Sequence, residues 1–236
     1  MKTVLILGSG PKAQYASAWP KSRFSHWMAI NNAWSIRPDW DETIHPEDFA
    51  EERRPTDVSL AQSVTSADRY VDALNTFGGV VYCGATMAFT AGYWALASQR
   101  PDVVAFFGCD MVYPSEGNTH FYGQGAADPL RDDITLQSLD AKSARMMIHA
   151  AAQGCALVNL STDESRLILP RAAGSDIETF RPMNFDADLV ARAHAREAEL
   201  GYQAPTGRYW ETLSDYDPDA LLALDHLWLE AGRSGY

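Results

Sequence analysis

Met1-Lys-Thr-Val-Leu-Ile-Leu-Gly-Ser-Gly-Pro11 opens the chain. An apolar run, Val4 to Leu7, breaks straight into glycines at Gly8 and Gly10, as a buried strand does on entering a tight βα turn. Such a turn brings backbone N–H groups and a helix N-terminus to one point, which suits a phosphate. Pro11 fits the first helical turn, where its missing N–H costs nothing. Ala13 completes a loose G-x-G-x-x-A pattern. Glycine turns also serve as plain connectors, so the reading as a nucleotide site depends on what else converges there.

Working outward, three more apolar runs read as strands ending in small or polar residues. They are Trp27 to Ile30 before Asn31-Asn32, Val80 to Tyr82 before Cys83-Gly84, and Val103 to Phe107 before Gly108-Cys109-Asp110. Asp41 to His45 offers a further short strand. Helical patterns at about Ala67 to Leu74 and Thr86 to Ser98 lie between them, and β and α alternate as a doubly wound α/β sheet requires. The expected fold is a mostly parallel, Rossmann-like sheet with C-terminal helices. Ligands of such sheets sit outside the carboxyl ends of the strands, so Gly8, Asn31, Gly84 and Asp110 are expected to converge.

Met111 to Asp133 is rich in Gly, Pro, Asn and Asp and longer than an ordinary connection, which marks it as a functional loop over the pocket. A helix from about Thr135 to Gln153, ended by Gly154, leads to a strand at Ala156 to Leu160. Ser161 to Pro170 and Arg171 to Pro182 are less regular. Asp186 to Leu200 and Pro218 to Ala231, each followed by a glycine, read as helices. The expected organisation is a nucleotide-binding core over 1–170 and a helical extension over 171–236 packed on it.

The 236 residues can bury a substantial core, and 46% hydrophobic with 21% charged residues is an ordinary globular composition. A net charge of −12 disfavours nucleic acid and anionic membranes as partners, because both would be repelled. A small anion held locally by backbone dipoles is compatible with it, and so is a homo-oligomer. Cys83, Cys109 and Cys155 are odd in number, lack C-x-x-C spacing and sit in or beside apolar runs, as buried free thiols of a reducing compartment do. The first apolar run is too short for a signal-peptide core and no stretch approaches a membrane span, so a cytoplasmic protein is expected.

A dehydrogenase would place an acidic residue after the second strand to hold the ribose hydroxyls; this chain has Asn31-Asn32. An amide donates to and accepts from a base or ribose but forgoes the charge-assisted bond, which lowers NAD as a cofactor. Asn side chains also build turns and caps. Asp110, at a strand end, is a candidate base, metal ligand, ribose acceptor or cap. His120 in Asn118-Thr-His-Phe-Tyr-Gly123 is a candidate acid, base or ligand, and Tyr113 and Tyr122 are phenols for phosphate contact, base stacking or pinning the loop. His45 before Pro46 is a weaker candidate. His120 with Asp128 or Asp110 lacks the spacing of a metal site, and neither a G-x-S-x-G elbow nor a Walker lysine motif is present.

Leu5-Ile-Leu-Gly-Ser-Gly-Pro11, Ala29-Ile-Asn-Asn-Ala33, Tyr82-Cys-Gly-Ala-Thr86 and Phe107-Gly-Cys-Asp-Met111, in this order and spacing, resemble the bacterial family-42 sialyltransferases. They also resemble the 6-hydroxymethylpterin diphosphokinase-like proteins with their phage and bacterial relatives. The resemblance spans about residues 1–170. It implies a nucleotide held by Gly8, Gly10, Asn31, Cys83 and Gly84, and Asp110 and Tyr113 match the family's G-x-D-x-x-Y-like stretch in part. Ser9, Pro11 and Asn32 join the expected binding set as members of the same two turns, and His120, Asp110 and Tyr113 are the catalytic candidates. The family's Arg before its Ser-Gly corresponds to Val80 or Val81, and its catalytic His lies further downstream than His120. His120-Phe-Tyr-Gly123 followed by Asp128-Pro-Leu-Arg131 is closer to the phage-type relatives. The expected activity is transfer from a nucleotide-activated sugar. The alternatives are a pterin-type diphosphokinase using ATP and Mg²⁺, and a nucleotide-binding or structural accessory protein without turnover.

Overall fold

The computed structural model describes residues 1–113, 116–125 and 132–233. Six strands, β1 (Thr3–Leu7), β2 (His26–Ile30), β3 (Glu42–Ile44), β4 (Ser63–Thr65), β5 (Val103–Phe107) and β6 (Ala156–Asn159), form one all-parallel sheet in the order β4-β3-β2-β1-β5-β6. The fold is a doubly wound α/β fold. From β1 the chain winds outward through β2, β3 and β4, then returns to the other side of β1 to lay down β5 and β6. The topological switch point therefore lies between β1 and β5, whose registers run from Thr3 opposite Val103 to Leu7 opposite Phe107.

The strands are apolar on both faces, as a sheet covered on both sides must be. Val4, Ile6, Met28, Ile30, Val104 and Phe106 face one core, and Leu5, Leu7, Trp27, Ala29, Ala105 and Phe107 face the other. The first core is covered by α-helices: α1 (Ala67–Thr76), α2 (Val80–Cys83), α3 (Met87–Gln99), α4 (Leu139–Ala152), α5 (Ala187–Leu200) and α6 (Pro218–Arg233). The second is covered by 3-10 segments at Ala13–Ala18, Asn31–Ile36 and Ile177–Thr179 with the Trp19, Phe24 and Trp27 rings. Helix α3, apolar all round, is buried from Ala88 to Leu96 between the sheet and its neighbours.

Two local expectations are corrected, and one strand appears that the sequence reading did not name. Val80 to Tyr82 is a turn of helix, α2, between glycines in left-handed backbone at Gly79 and Gly84 (φ 97° and 90°). Ser63–Thr65, too short and polar to show an apolar pattern, pairs with β3 as a sixth strand. The segment after the first glycine turn is a 3-10 helix starting at Ala13, so Pro11 lies before the helix rather than in its first turn.

The C-terminal helices share the core of the first 170 residues, since Leu189, Ala193, Leu221, Leu224 and Trp228 belong to the α-helical side. Two buried ion pairs join them to α4. Lys142 Nζ lies 2.9 Å from Asp225 Oδ1, and Arg145 Nε donates to Glu197 Oε1 at 2.8 Å. Trp228 Nε1 also donates to Glu197, and Arg145 donates to Tyr93 Oη and to the Phe77 carbonyl. No described helix is long and apolar enough to cross a membrane.

Candidate functional site

A cavity of about 460 Å³ opens at the carboxyl ends of the strands over the switch point. Gly8, Ser9, Gly10 and Pro11 from the turn after β1, Asn31 and Asn32 after β2, Asp110 after β5, and Tyr113 and His120 from the long loop all line it. Cys83 and Gly84 do not. Cys83 points into the α-helical core, its Sγ against the carbonyls of Leu74 and Phe77, and burial raises its thiol to about 11. All three cysteines are free and buried. Gly84 instead turns the chain into Thr86, whose hydroxyl accepts from Phe89 N–H and caps α3. Thr86, Met87 and Ala88 line the cavity, which puts the N-terminus of the buried 13-residue helix α3 at the site.

Two amides of the glycine turn are bonded within the chain. Gly8 N–H donates to the Phe107 carbonyl and Gly10 N–H to the Gly108 carbonyl, both at 2.8 Å. Both amides are therefore spent on joining the two switch-point turns. A Cβ on Gly8 would stand 2.3 Å from Gly108 O and 2.6 Å from Cys109 Sγ, and one on Gly10 would stand 2.9 Å from Gly108 O. Glycine is needed there because backbone meets backbone. Met87 and Ala88 N–H, in the first turn of α3, make no hydrogen bond among the described residues, and both residues line the cavity.

Asn31 carries two signs of a ligand-binding residue. Its φ is 51°, the left-handed region, and its side-chain Oδ1 is buried without a hydrogen-bond partner. Orphaned buried carbonyls and strained backbone are both uncommon and both concentrate at functional sites. Met111, also lining the cavity, is held at φ 52°.

Asp110 is fixed in place. Its Oδ1 accepts from Asn159 Nδ2 at 3.2 Å and lies 3.8 Å from an Arg171 guanidinium nitrogen, and Asn159 is itself oriented by Ser161 N–H and Ser165 Oγ. His120 is buried and stacked on Tyr122 at 4.9 Å, with Tyr113 tilted against it at 5.8 Å. Its Nδ1 lies 2.9 Å from Thr119 Oγ1, which accepts from Gly125 N–H. Phe121 N–H donates to the Ser9 carbonyl, so this part of the loop is tied to the glycine turn and covers it. Asp128 and the Asp128-Pro-Leu-Arg131 stretch lie outside the described residues. His45 is buried under Phe49, its Nδ1 2.9 Å from the Pro46 carbonyl.

Arg53, Phe49 and Asp48 also line the cavity and carry no motif that could have marked them. The α3 N-terminus was readable in part, because Thr86 is a capping residue before a helical pattern. No group of three or more metal-ligating side chains occurs among the described residues. Comparison with family models, curated proteins and solved structures gives no match.

Proposed function

We propose that the switch-point cavity binds a mononucleotide and that the protein is a glycosyltransferase-like transferase using a nucleotide-activated sugar. The observation that carries this reading is Asn31, with an orphaned, buried Oδ1 on left-handed backbone beside the carboxyl end of β1. Oδ1 accepts from a base N–H or a ribose hydroxyl. The donor phosphate sits against the Met87 and Ala88 amides, with Arg53 at the cavity wall supplying charge. In the transfer step the bond between the anomeric carbon and the phosphate oxygen breaks and a new bond forms to an acceptor hydroxyl. The nucleotide leaves with its negative charge held by the α3 amides, and the hydroxyl proton passes to His120 or Asp110.

A thermal-shift and calorimetric series over CMP, UMP, GDP, ATP and NAD, with and without Mg²⁺, tests the reading, because binding to the native state alone raises Tm. One mononucleotide is expected to bind best, and NAD no better than its AMP half. Asn31→Gly keeps the backbone conformation and is expected to weaken that nucleotide about tenfold, as loss of one partner in a desolvated site does. Unchanged affinity in Asn31→Gly, or preferred NAD binding with hydride transfer, overturns the reading. Strictly Mg²⁺-dependent ATP binding transfers it to the diphosphokinase class.

A further inference from the structure

A second cavity, of about 770 Å³, adjoins the first, and Pro46, Asp48, Thr86 and Met87 line both. The α3 N-terminus thus forms a wall shared by two neighbouring lobes. The second lobe differs sharply in character. Tyr70, Tyr209 and Trp210 contribute aromatic surface, and Trp210 and Leu213 are exposed although large and apolar. Among the described residues its charged lining is four carboxylates, Glu47, Asp48, Asp132 and Asp133, against the guanidinium of Arg208.

Two of those carboxylates are already engaged. Glu47 pairs with Arg208 at 2.7 Å, and Asp133 accepts from Thr135 and from Tyr209 Oη. Asp48 and Asp132 are exposed at the lobe and have no ion-pair partner among the described residues. The negative field is felt inside it: burial first, then Glu47, Asp48 and Asp68, push the Tyr70 phenol up to about 12. Aromatic faces next to unpaired carboxylates favour an organic cation and repel an anion.

We infer that the second lobe binds the acceptor and that the acceptor is a sugar-sized molecule carrying a protonated amine, its ring against the Trp210 and Tyr209 side and its amine towards Asp132 and Asp48. The assignment as acceptor rests on the transferase reading of the adjoining lobe; the binding preference does not. The two neighbouring lobes are polarised accordingly, with the phosphate end at the α3 amides and Arg53 and the cation end at the carboxylates.

Three monosaccharides of nearly equal size and different charge, glucosamine, glucose and glucuronate, test this by calorimetry on the full chain. Glucosamine is expected to bind best and glucuronate least. Asp132→Asn is expected to reduce the advantage of glucosamine over glucose about threefold, the order for an exposed ion pair, while Trp210→Ala weakens both sugars alike. Both residues line only the second lobe, so the mononucleotide affinity of these variants should match the parent and shows that they are folded. Glucuronate binding as well as glucosamine, an amine preference unchanged in Asp132→Asn, or no binding of any of the three overturns the inference. If no nucleotide binds but the amine preference holds, the transferase reading fails and the cation site stands.

Discussion

At the scale of single residues, the two glycines of the opening turn and Asn31 all line the switch-point cavity, but their polar atoms differ in what they are bonded to. Gly8 and Gly10 read as a phosphate cradle, but their amides bond β5's turn and their missing side chains admit its backbone. Gly8→Ala is therefore expected to cost about 3 kcal/mol in denaturant unfolding, through overpacking against the Gly108 carbonyl, whether or not ligand is present. Asn31 read as a substitute for a dehydrogenase acid, and nothing in its sequence shows the left-handed backbone or the orphaned carbonyl. Because glycine adopts φ 51° without strain and removes the unpaired oxygen, Asn31→Gly is expected to raise stability by about 1 kcal/mol while lowering nucleotide affinity. Tm measured beside affinity checks it. A loss of both would make Asn31 a structural residue.

At the scale of elements, the apolar runs identified β1, β2, β5 and β6, while two other segments escaped. A run such as Val80-Val-Tyr82 is buried in either a strand or a helix, and three residues carry too little period to choose. Its fate as α2 is decided by Gly79 and Gly84, which turn the chain sharply at both ends. β4 is legible only through its pairing with β3, since an edge strand of Ser63-Val-Thr65 has no apolar alternation. The element that matters most to the site is α3, whose first turn forms the wall between the two lobes. Thr86→Ala removes the hydroxyl that caps it and is expected to lower stability by about 1 kcal/mol, whereas Thr86→Ser retains the cap. Equal stability of the two variants in urea unfolding would contradict this.

At the scale of the whole molecule, the C-terminal helices are locked to the core through buried charge. Burial alone would raise the Glu197 carboxyl, but Arg145 and hydrogen bonds from His194 and Arg145 bring it down to about 2. His149, packed among Phe77, Tyr93, His194 and Trp228 and facing Arg145, is lowered to about 2, first by burial and then by that guanidinium. Both shifts act in the same direction. The unfolded chain protonates His149 near 6.5 and Glu197 near 4.5 while the folded protein does not, so stability is present above 6.5 and is lost as pH falls. Each group contributes up to about 1.4 kcal/mol per pH unit within its window. His149→Phe is expected to flatten the loss between pH 6.5 and 4.5 and leave the loss below 4.5, as urea unfolding at a series of pH values would show. An unchanged slope in that variant would remove His149 from the account.

The fold class was decided by local chemistry: alternating apolar runs and capped helical patterns bury two faces of a parallel sheet in only a few ways, and those patterns lie along the chain itself. Most of the site residues named from the sequence line the switch-point cavity for the same reason, because a parallel sheet brings every strand's carboxyl end to one edge. Which atoms face a ligand was left to tertiary structure. Whether an amide is spent on a neighbouring carbonyl, as at Gly8 and Gly10, or left open, as at Met87 and Ala88, depends on the approach of β5 and α3, segments some 80 to 100 residues away. The second lobe is wholly of that kind: Asp48, Tyr70, Asp132 and Trp210 come from four separate segments, and only packing makes them one surface.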